Sequence, residues 1–113
     1  MQASRKDIAL NFARQYNIVL ALKGNQTIVA RPDGDYYINE TGNTGMATGG
    51  TGDVLTGMIA SFIGQGVEPF DAAILGTYFH GLAGDMAAKE KGVLSLIATD
   101  LLNKLPDALK KLA

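Results

Sequence analysis

Hydrophobic positions along the 113-residue chain change period several times, and each change predicts an element. From Ser4 to about Tyr16, the residues Ile8, Ala9, Phe12, Ala13 and Tyr16 recur at helical spacing. Ser4 and Asp7 open that helix in the manner of a capping box, with Asp in place of Glu. Ile18 to Leu22 is a short continuous apolar run with β-branched residues, ending at Gly24. That pattern predicts a strand buried on both faces. "QTIVARPDGDYYINE" predicts two strands joined by the turn Pro32-Asp33-Gly34, because Pro fixes φ and Gly accepts a positive φ. In "DVLTGMIASFIGQG" the apolar pairs Val54/Leu55, Met58/Ile59 and Phe62/Ile63 repeat every fourth position. This predicts a helix with few polar positions, well buried and ended by Gly64 and Gly66. A further helix starts with Pro69 at its first position and ends at Gly92. "ATDLLNKLPDALKKLA" is a last amphipathic helix, with Thr99 as N-cap, Asp100 favouring the dipole, and Pro106 breaking it in two.

These elements make an unfinished set. A strand buried on both faces needs neighbours on both sides, and only one hairpin can supply them. Two helices are apolar around most of their circumference. The pattern therefore predicts the C-terminal part of a larger α/β layer fold, with an independent small α+β domain as the alternative.

Composition narrows the chemistry. Hydrophobic residues make up 47% of the chain, as in a globular domain, and there are no repeats or low-complexity segments. Ten Lys and Arg stand against 11 Asp and Glu, a net charge of −1, which gives no electrostatic case for nucleic acid or an acidic membrane. The absence of Cys excludes disulfides and thiolate metal sites, and fits a cytoplasmic protein. The N-terminus has no signal-peptide pattern, and no apolar run approaches the ~18 residues of a spanning helix. A single His rules out a His-cluster metal site.

The chemistry concentrates in "GNTGMATGGTGDVLTG", Gly42 to Gly57, where six of sixteen residues are glycine. Glycines let backbone N–H groups converge, and a helix N-terminus adds unpaired donors and a positive dipole end. Gly49, Gly50, Thr51 and Gly52 stand just before the predicted helix, as an anion hole for phosphate would require. Asp53 cannot bind an anion. At a helix start it stays ionised and can take a proton from a substrate hydroxyl. The plainer reading is a tight turn with an Asp cap. Neither common phosphate motif is satisfied. Gly45 and Gly50 have Walker A spacing, but Thr51 stands where Lys is required, and the dinucleotide fingerprint lacks its third glycine.

Other residues carry weaker signals. Lys23 in "LKGNQT" sits at a strand end, where ligands bind in α/β sheets, or is simply solvated there. Thr27 can offer a hydroxyl to phosphate or serve as an ordinary strand residue. His80, with Asp85 five residues on, reads as a satisfied core or interface histidine. Tyr36 and Tyr37 read as cross-strand packing, with base stacking as the alternative.

"LKGNQT", "GNTGMATGGTGDVLTGMIASFIGQG", "AAILGTYFHGLAGDMA" and "ATDLLNKLP", in this order and spacing, resemble the ADP-dependent NAD(P)H-hydrate dehydratases of the ribokinase-like superfamily. The string around GMATGGTGD is specific to that family, whereas a bare GxGD points only to the superfamily. The resemblance covers essentially the whole chain. It implies an α/β fold: residues 1–113 as the C-terminal, nucleotide-binding portion of a ribokinase-like three-layer α/β/α domain with a mostly parallel sheet. It implies a lyase that repairs hydrated NADH or NADPH at the expense of ADP or ATP, with Mg²⁺. The substrate hydroxyl would be phosphorylated and phosphate then eliminated. It implies nucleotide contacts from Lys23, Gly24, Asn25, Gln26, Thr27 and Gly52. Asp53 is then both a substrate contact and the catalytic base, and the metal ligands are left undefined. Members also draw contacts from an N-terminal half that nothing here matches. Association with that part, or a homo-oligomer, is therefore expected, and no nucleic acid or membrane partner. The runner-up is a related small-molecule kinase with Asp53 as base. A third reading is a non-catalytic module that folds only with a partner segment.

Overall fold

The computed structural model describes residues 4–47 and 49–112. Thr48, inside the glycine-rich string, and Ala113, at the end of the last predicted helix, lie outside the described residues. Helix α1 spans Arg5–Tyr16, and the Ser4 hydroxyl caps it by accepting from the Asp7 amide at 3.1 Å. Three short strands follow, β1 Leu20–Leu22, β2 Ile28–Ala30 and β3 Tyr36–Ile38. They form one antiparallel sheet in the order β1-β2-β3, with Leu20 opposite Ala30 and Ile28 opposite Ile38. The β2–β3 turn is the predicted one. Gly34 has a φ of 101°, and the Asp33 carboxylate accepts from the Asp35 amide at 2.9 Å.

A 3₁₀ turn at Thr44–Ala47 leads into α2, Thr51–Gly64. Helix α3, Pro69–Lys91, has its proline at the first position and ends at Gly92, as its sequence predicts. Helix α4, Ala98–Leu109, closes the order with a 3₁₀ turn at Lys110–Leu112.

The layers follow from the two faces of β2. Ile28 and Ala30 point to one face and pack with Ala9 and Ala13 of α1. Val29 points to the other and packs with Phe70 and Ala73 of α3. The sheet is thus sandwiched between α1 and α3, an α/β/α arrangement. Beyond it, Met58 of α2, Phe79 and Ala83 of α3 and Ala108 of α4 build a second apolar cluster. Met46 and Val54 join Ala87, Leu96 and Leu101 in a third. Among the described residues no helix is long and apolar enough to cross a membrane.

Several expectations need correction. The strand fully buried on both faces is β2. The Ile18–Leu22 run packs on both faces too, Leu20 and Leu22 on the α1 side and Val19 and Ala21 on the α3 side, but β1 stays half-buried and Ile18 is 39% exposed. The described strands are antiparallel, so they supply no part of the mostly parallel sheet that the resemblance implies. Helix α2 is not buried all round, because Ile63 is 44% exposed and only Thr51, Leu55 and Met58 are fully covered. Thr99 is not the N-cap of α4. Ile97 holds that position, and its amide donates to the Asp100 carboxylate at 3.0 Å. Pro106 does not break α4, which continues to Leu109.

Candidate functional site

The ends of β1 and α2 meet at a cavity of about 550 Å³, within the range of small-molecule sites. Its wall contains the whole segment Lys23, Gly24, Asn25, Gln26 and Thr27, together with Thr51 and Gly52 from the start of α2. Asn39, Thr41, Asn43 and Thr77 add neutral polar groups, and Leu55 and Met46 add apolar ones. Among the described lining residues the Lys23 ammonium is the one formal charge at neutral pH, and no carboxylate is present.

Lys23 and Gly52 touch. A Cβ built on Gly52 would lie 2.7 Å from Lys23 Nζ, so only a glycine lets the ammonium rest against the helix end. Gly50 stands at the N-cap in the left-handed region, with φ 88°, and as a glycine brings no side chain to cap α2. The helix therefore sets its positive dipole end beside the ammonium, which favours an anion. Gly49 and Gly50 are exposed and outside the cavity wall; they make the turn into α2. Asp53 is exposed on the next position of the helix. It lines a separate groove of about 540 Å³ between α2 and α4, with Val54, Met58, Phe62 and Leu105. Gly52 and Asp53 are consecutive on α2, about 100° apart around its axis, so the cavity and the groove meet at the same helix end.

His80 is 8% exposed, as a satisfied core histidine would be, yet it also lines the cavity. Its Nε2 lies 2.8 Å from the Thr51 carbonyl oxygen. A carbonyl only accepts, so the Nε2 hydrogen is assigned to this bond. Burial pushes the His80 pKa below its ordinary value, the Thr51 bond partly opposes this, and the nearby Lys23 charge adds to the lowering. The neutral ring ties α3 to the first residue of α2. Thr51 is fastened from the other side by its hydroxyl, which donates to the Met46 carbonyl. The Thr27 hydroxyl is spent on the Gly24 carbonyl at 3.3 Å. Neither Tyr36 nor Tyr37 lines the cavity. Burial, then Tyr78 and Glu40, raise the Tyr37 pKa, so its hydroxyl stays a donor to Asn39 Oδ1 at 2.9 Å.

With this geometry in place, comparison with known proteins decides the family. The family described as NAD(P)H-hydrate dehydratase matches residues 1–107. The chain belongs to this family. A bifunctional NAD(P)H-hydrate repair enzyme of Moorella thermoacetica is 54% identical over 112 residues, 99% of this chain and 21% of that protein. The ADP-dependent (S)-NAD(P)H-hydrate dehydratase of Bacillus subtilis is 40% identical over 98% of this chain and 40% of its own length. The crystal structure of an ADP/ATP-dependent NAD(P)H-hydrate dehydratase from Bacillus subtilis, co-crystallised with ATP/Mg²⁺, matches with a TM-score of 0.92. It is 39% identical, over 97% of this chain and 40% of that one. The chain therefore spans about a fifth to two-fifths of the relatives it matches.

In this member of the dehydratase family, residues that sequence reasoning passed over hold the cavity wall in place. Arg5 donates to four backbone carbonyls of the 22–26 segment. Buried Asn39 donates to the Thr77 carbonyl at 3.3 Å and to Thr41, and the Thr41 hydroxyl donates to the Tyr78 carbonyl at 2.9 Å. Asp85, noted only for its distance from His80, instead accepts from the Gly42 amide and the Asn43 side chain, both at 2.9 Å. Apart from the Asn39–Thr41 bonds, which span two residues, the partners are 17 to 43 residues away. The one available signal was a polar residue inside an otherwise small and apolar helix, as at Asp85.

Proposed function

We propose that this chain forms the nucleotide-binding portion of a dehydratase that converts hydrated NADH or NADPH to the usable cofactor, driven by ADP or ATP. One observation carries the reading: a cavity whose one formal charge, among the described lining residues, is a lysine ammonium resting against the first turn of α2. Such a site takes a phosphate, and the wall residues Lys23 to Thr27 and Gly52 are those assigned to the nucleotide. Thr51 and Gly52 form the anion hole, reached through the Gly49-Gly50 turn. Asp53, the next residue along the helix end, faces the hydrated cofactor as base and substrate contact.

In this scheme the substrate hydroxyl oxygen bonds to the terminal phosphorus while the bond to the departing nucleotide breaks. The hydroxyl proton passes to Asp53. The substrate carbon–oxygen bond then breaks, phosphate leaves, and a proton is lost from the neighbouring carbon. The anion hole and Lys23 stabilise charge on the transferred group. Among the described residues no cluster of three or more His, Asp or Glu exists, and the Asp85 carboxylate is already engaged. The described residues therefore form no protein cage for Mg²⁺.

Residues 1–113 are read as the C-terminal portion of one ribokinase-like domain. The exposed stripe Ile8, Phe12 and Tyr16 on α1 supports its being covered, by further chain of the same domain or a second copy. A cytoplasmic location completes the reading. The test supplies hydrated NADH, ADP and Mg²⁺ to the protein and follows NADH absorbance and released phosphate. Recovery of NADH with equimolar AMP and phosphate is the expected result. A stable phosphoester without NADH would replace the dehydratase with a kinase, and absence of ADP binding would refute both.

A further inference from the structure

Arg5 stands at the first position of α1, with its backbone fixed by the Ser4 cap and by Ala9 and Ala13 packed on the sheet. Its guanidinium reaches across the end of β1. Nη1 donates to the carbonyls of Asn25 at 2.9 Å and Gln26 at 3.1 Å; Nη2 donates to those of Leu22 at 3.1 Å and Lys23 at 3.2 Å. One planar fork thus collects four carbonyls from five consecutive residues. The segment pays for this fit with an uncommon backbone. Gln26 has φ 59°, and a Cβ on Gly24 would fall 2.9 Å from Arg5 Nη2.

A trans peptide points its N–H opposite to its C=O. Drawing these carbonyls to Arg5 therefore turns the amides of Lys23, Gly24, Gln26 and Thr27 the other way. Arg5 is absent from the cavity wall, whereas all of Lys23 to Thr27 line it, so the other way is toward the cavity. Of these, the amides of Gly24 and Gln26 donate to no backbone carbonyl among the described residues. Without the fork, carbonyl oxygens of a free loop would face the same space and repel an anion. With it, the segment is an amide-lined concavity.

We propose that Arg5 is a positioning residue for a nucleoside diphosphate, turning the backbone amides of the 23–27 segment into the cavity while never touching the ligand itself. This rests on the nucleotide reading above. The test measures ADP affinity by calorimetry in the protein and in its Arg5→Lys and Arg5→Ala variants, with melting of each unliganded form. Lysine keeps the charge and most of the stem but cannot make the four-carbonyl fork. Both variants are expected to lose on the order of tenfold in ADP affinity at temperatures where they are fully folded. Millimolar guanidinium is expected to restore part of that affinity in Arg5→Ala and to leave the unsubstituted protein unchanged. A merely structural arginine would show neither. If Arg5→Ala does not fold, Arg5→Lys decides. Affinity within twofold of the unsubstituted protein in Arg5→Lys overturns the proposal while leaving the nucleotide reading intact. Absence of ADP binding by the unsubstituted protein overturns both.

Discussion

Substituting Gly81 by Ala tests the packing that holds the cavity wall in place. Gly81 lies inside α3, where Ala is the better helix former by about 1 kcal/mol, so propensity alone predicts a more stable protein. The structure predicts the reverse. A Cβ at Gly81 would fall 2.0 Å from Thr41 Oγ1, 2.7 Å from the Thr41 carbonyl carbon and 2.8 Å from Thr41 Cβ. Rotating the threonine removes only the first of these contacts, because the carbonyl carbon is backbone. The 39–43 segment must then move off α3 by roughly 1 Å to reach ordinary contact distance. That shift breaks the Thr41–Tyr78 bond and strains the buried Asn39 amide, which donates to Thr41 and Thr77. Overpacking costs about 1–3 kcal/mol and a disrupted buried hydrogen bond about 1–3 kcal/mol more. Set against the propensity gain, the net loss is about 1–5 kcal/mol. At about 4–8 °C per kcal/mol for a domain of this size, melting should fall by roughly 4–40 °C. Gly57→Ala is the control. It lies inside α2 with nothing within 4 Å of its built Cβ, so it should raise the melting temperature by a few degrees. Calorimetry or circular dichroism on the two variants reads the contrast in sign. If Gly81→Ala melts at or above the unsubstituted protein, the close approach of the 39–43 segment to α3 is wrong.

Three further outcomes follow from the site. Lys23→Ala should weaken ADP binding by about tenfold, since it removes the one formal charge among the described residues lining the cavity; an unchanged affinity in titration calorimetry would refute its role. Asp53→Asn should reduce turnover by about a hundredfold or more while leaving ADP affinity nearly unaltered, because the carboxylate lies outside the nucleotide cavity. Equal loss of both would mark Asp53 as structural. His80 holds a lowered pKa in the folded protein, so the unfolded chain binds its proton first as pH falls. Its contribution to stability is full above the ordinary histidine range and declines as pH drops through it toward the lowered folded value. The melting temperature should therefore fall more between pH 7.5 and 5.5 in the unsubstituted protein than in His80→Gln. Parallel pH profiles would contradict the buried neutral ring.

The elements with long periodic patterns were legible in the sequence, and the departures from it have particular causes. β2 carries both faces of the sandwich with three residues, Ile28, Val29 and Ala30, too short a run to display a period. The longer Ile18–Leu22 run drew the expectation of double burial because a continuous apolar stretch does not say what covers it. The same ambiguity made α2 look buried all round, although this chain covers only one side of it. Pro106 failed to end α4 because the bond it forfeits is the one to the Leu102 carbonyl, on a half-exposed residue where water can substitute. On the opposite face, Leu101 and Ala108 are fully buried, and that packing holds the turn together. The site divides along the same line. Lys23 to Thr27 and the Thr51-Gly52 helix start are local features, and their strand-end and helix-end positions can be read from neighbours in sequence. Arg5, Asn39, Thr41 and Asp85 act through backbone groups 17 to 43 residues away, or through neighbours that are themselves held across that distance. A carbonyl or an amide is present at every position, so a side chain bound to one leaves no trace in residue type. The residues proposed to touch the ligand were therefore open to sequence reasoning, while those proposed to aim the backbone at it needed the fold.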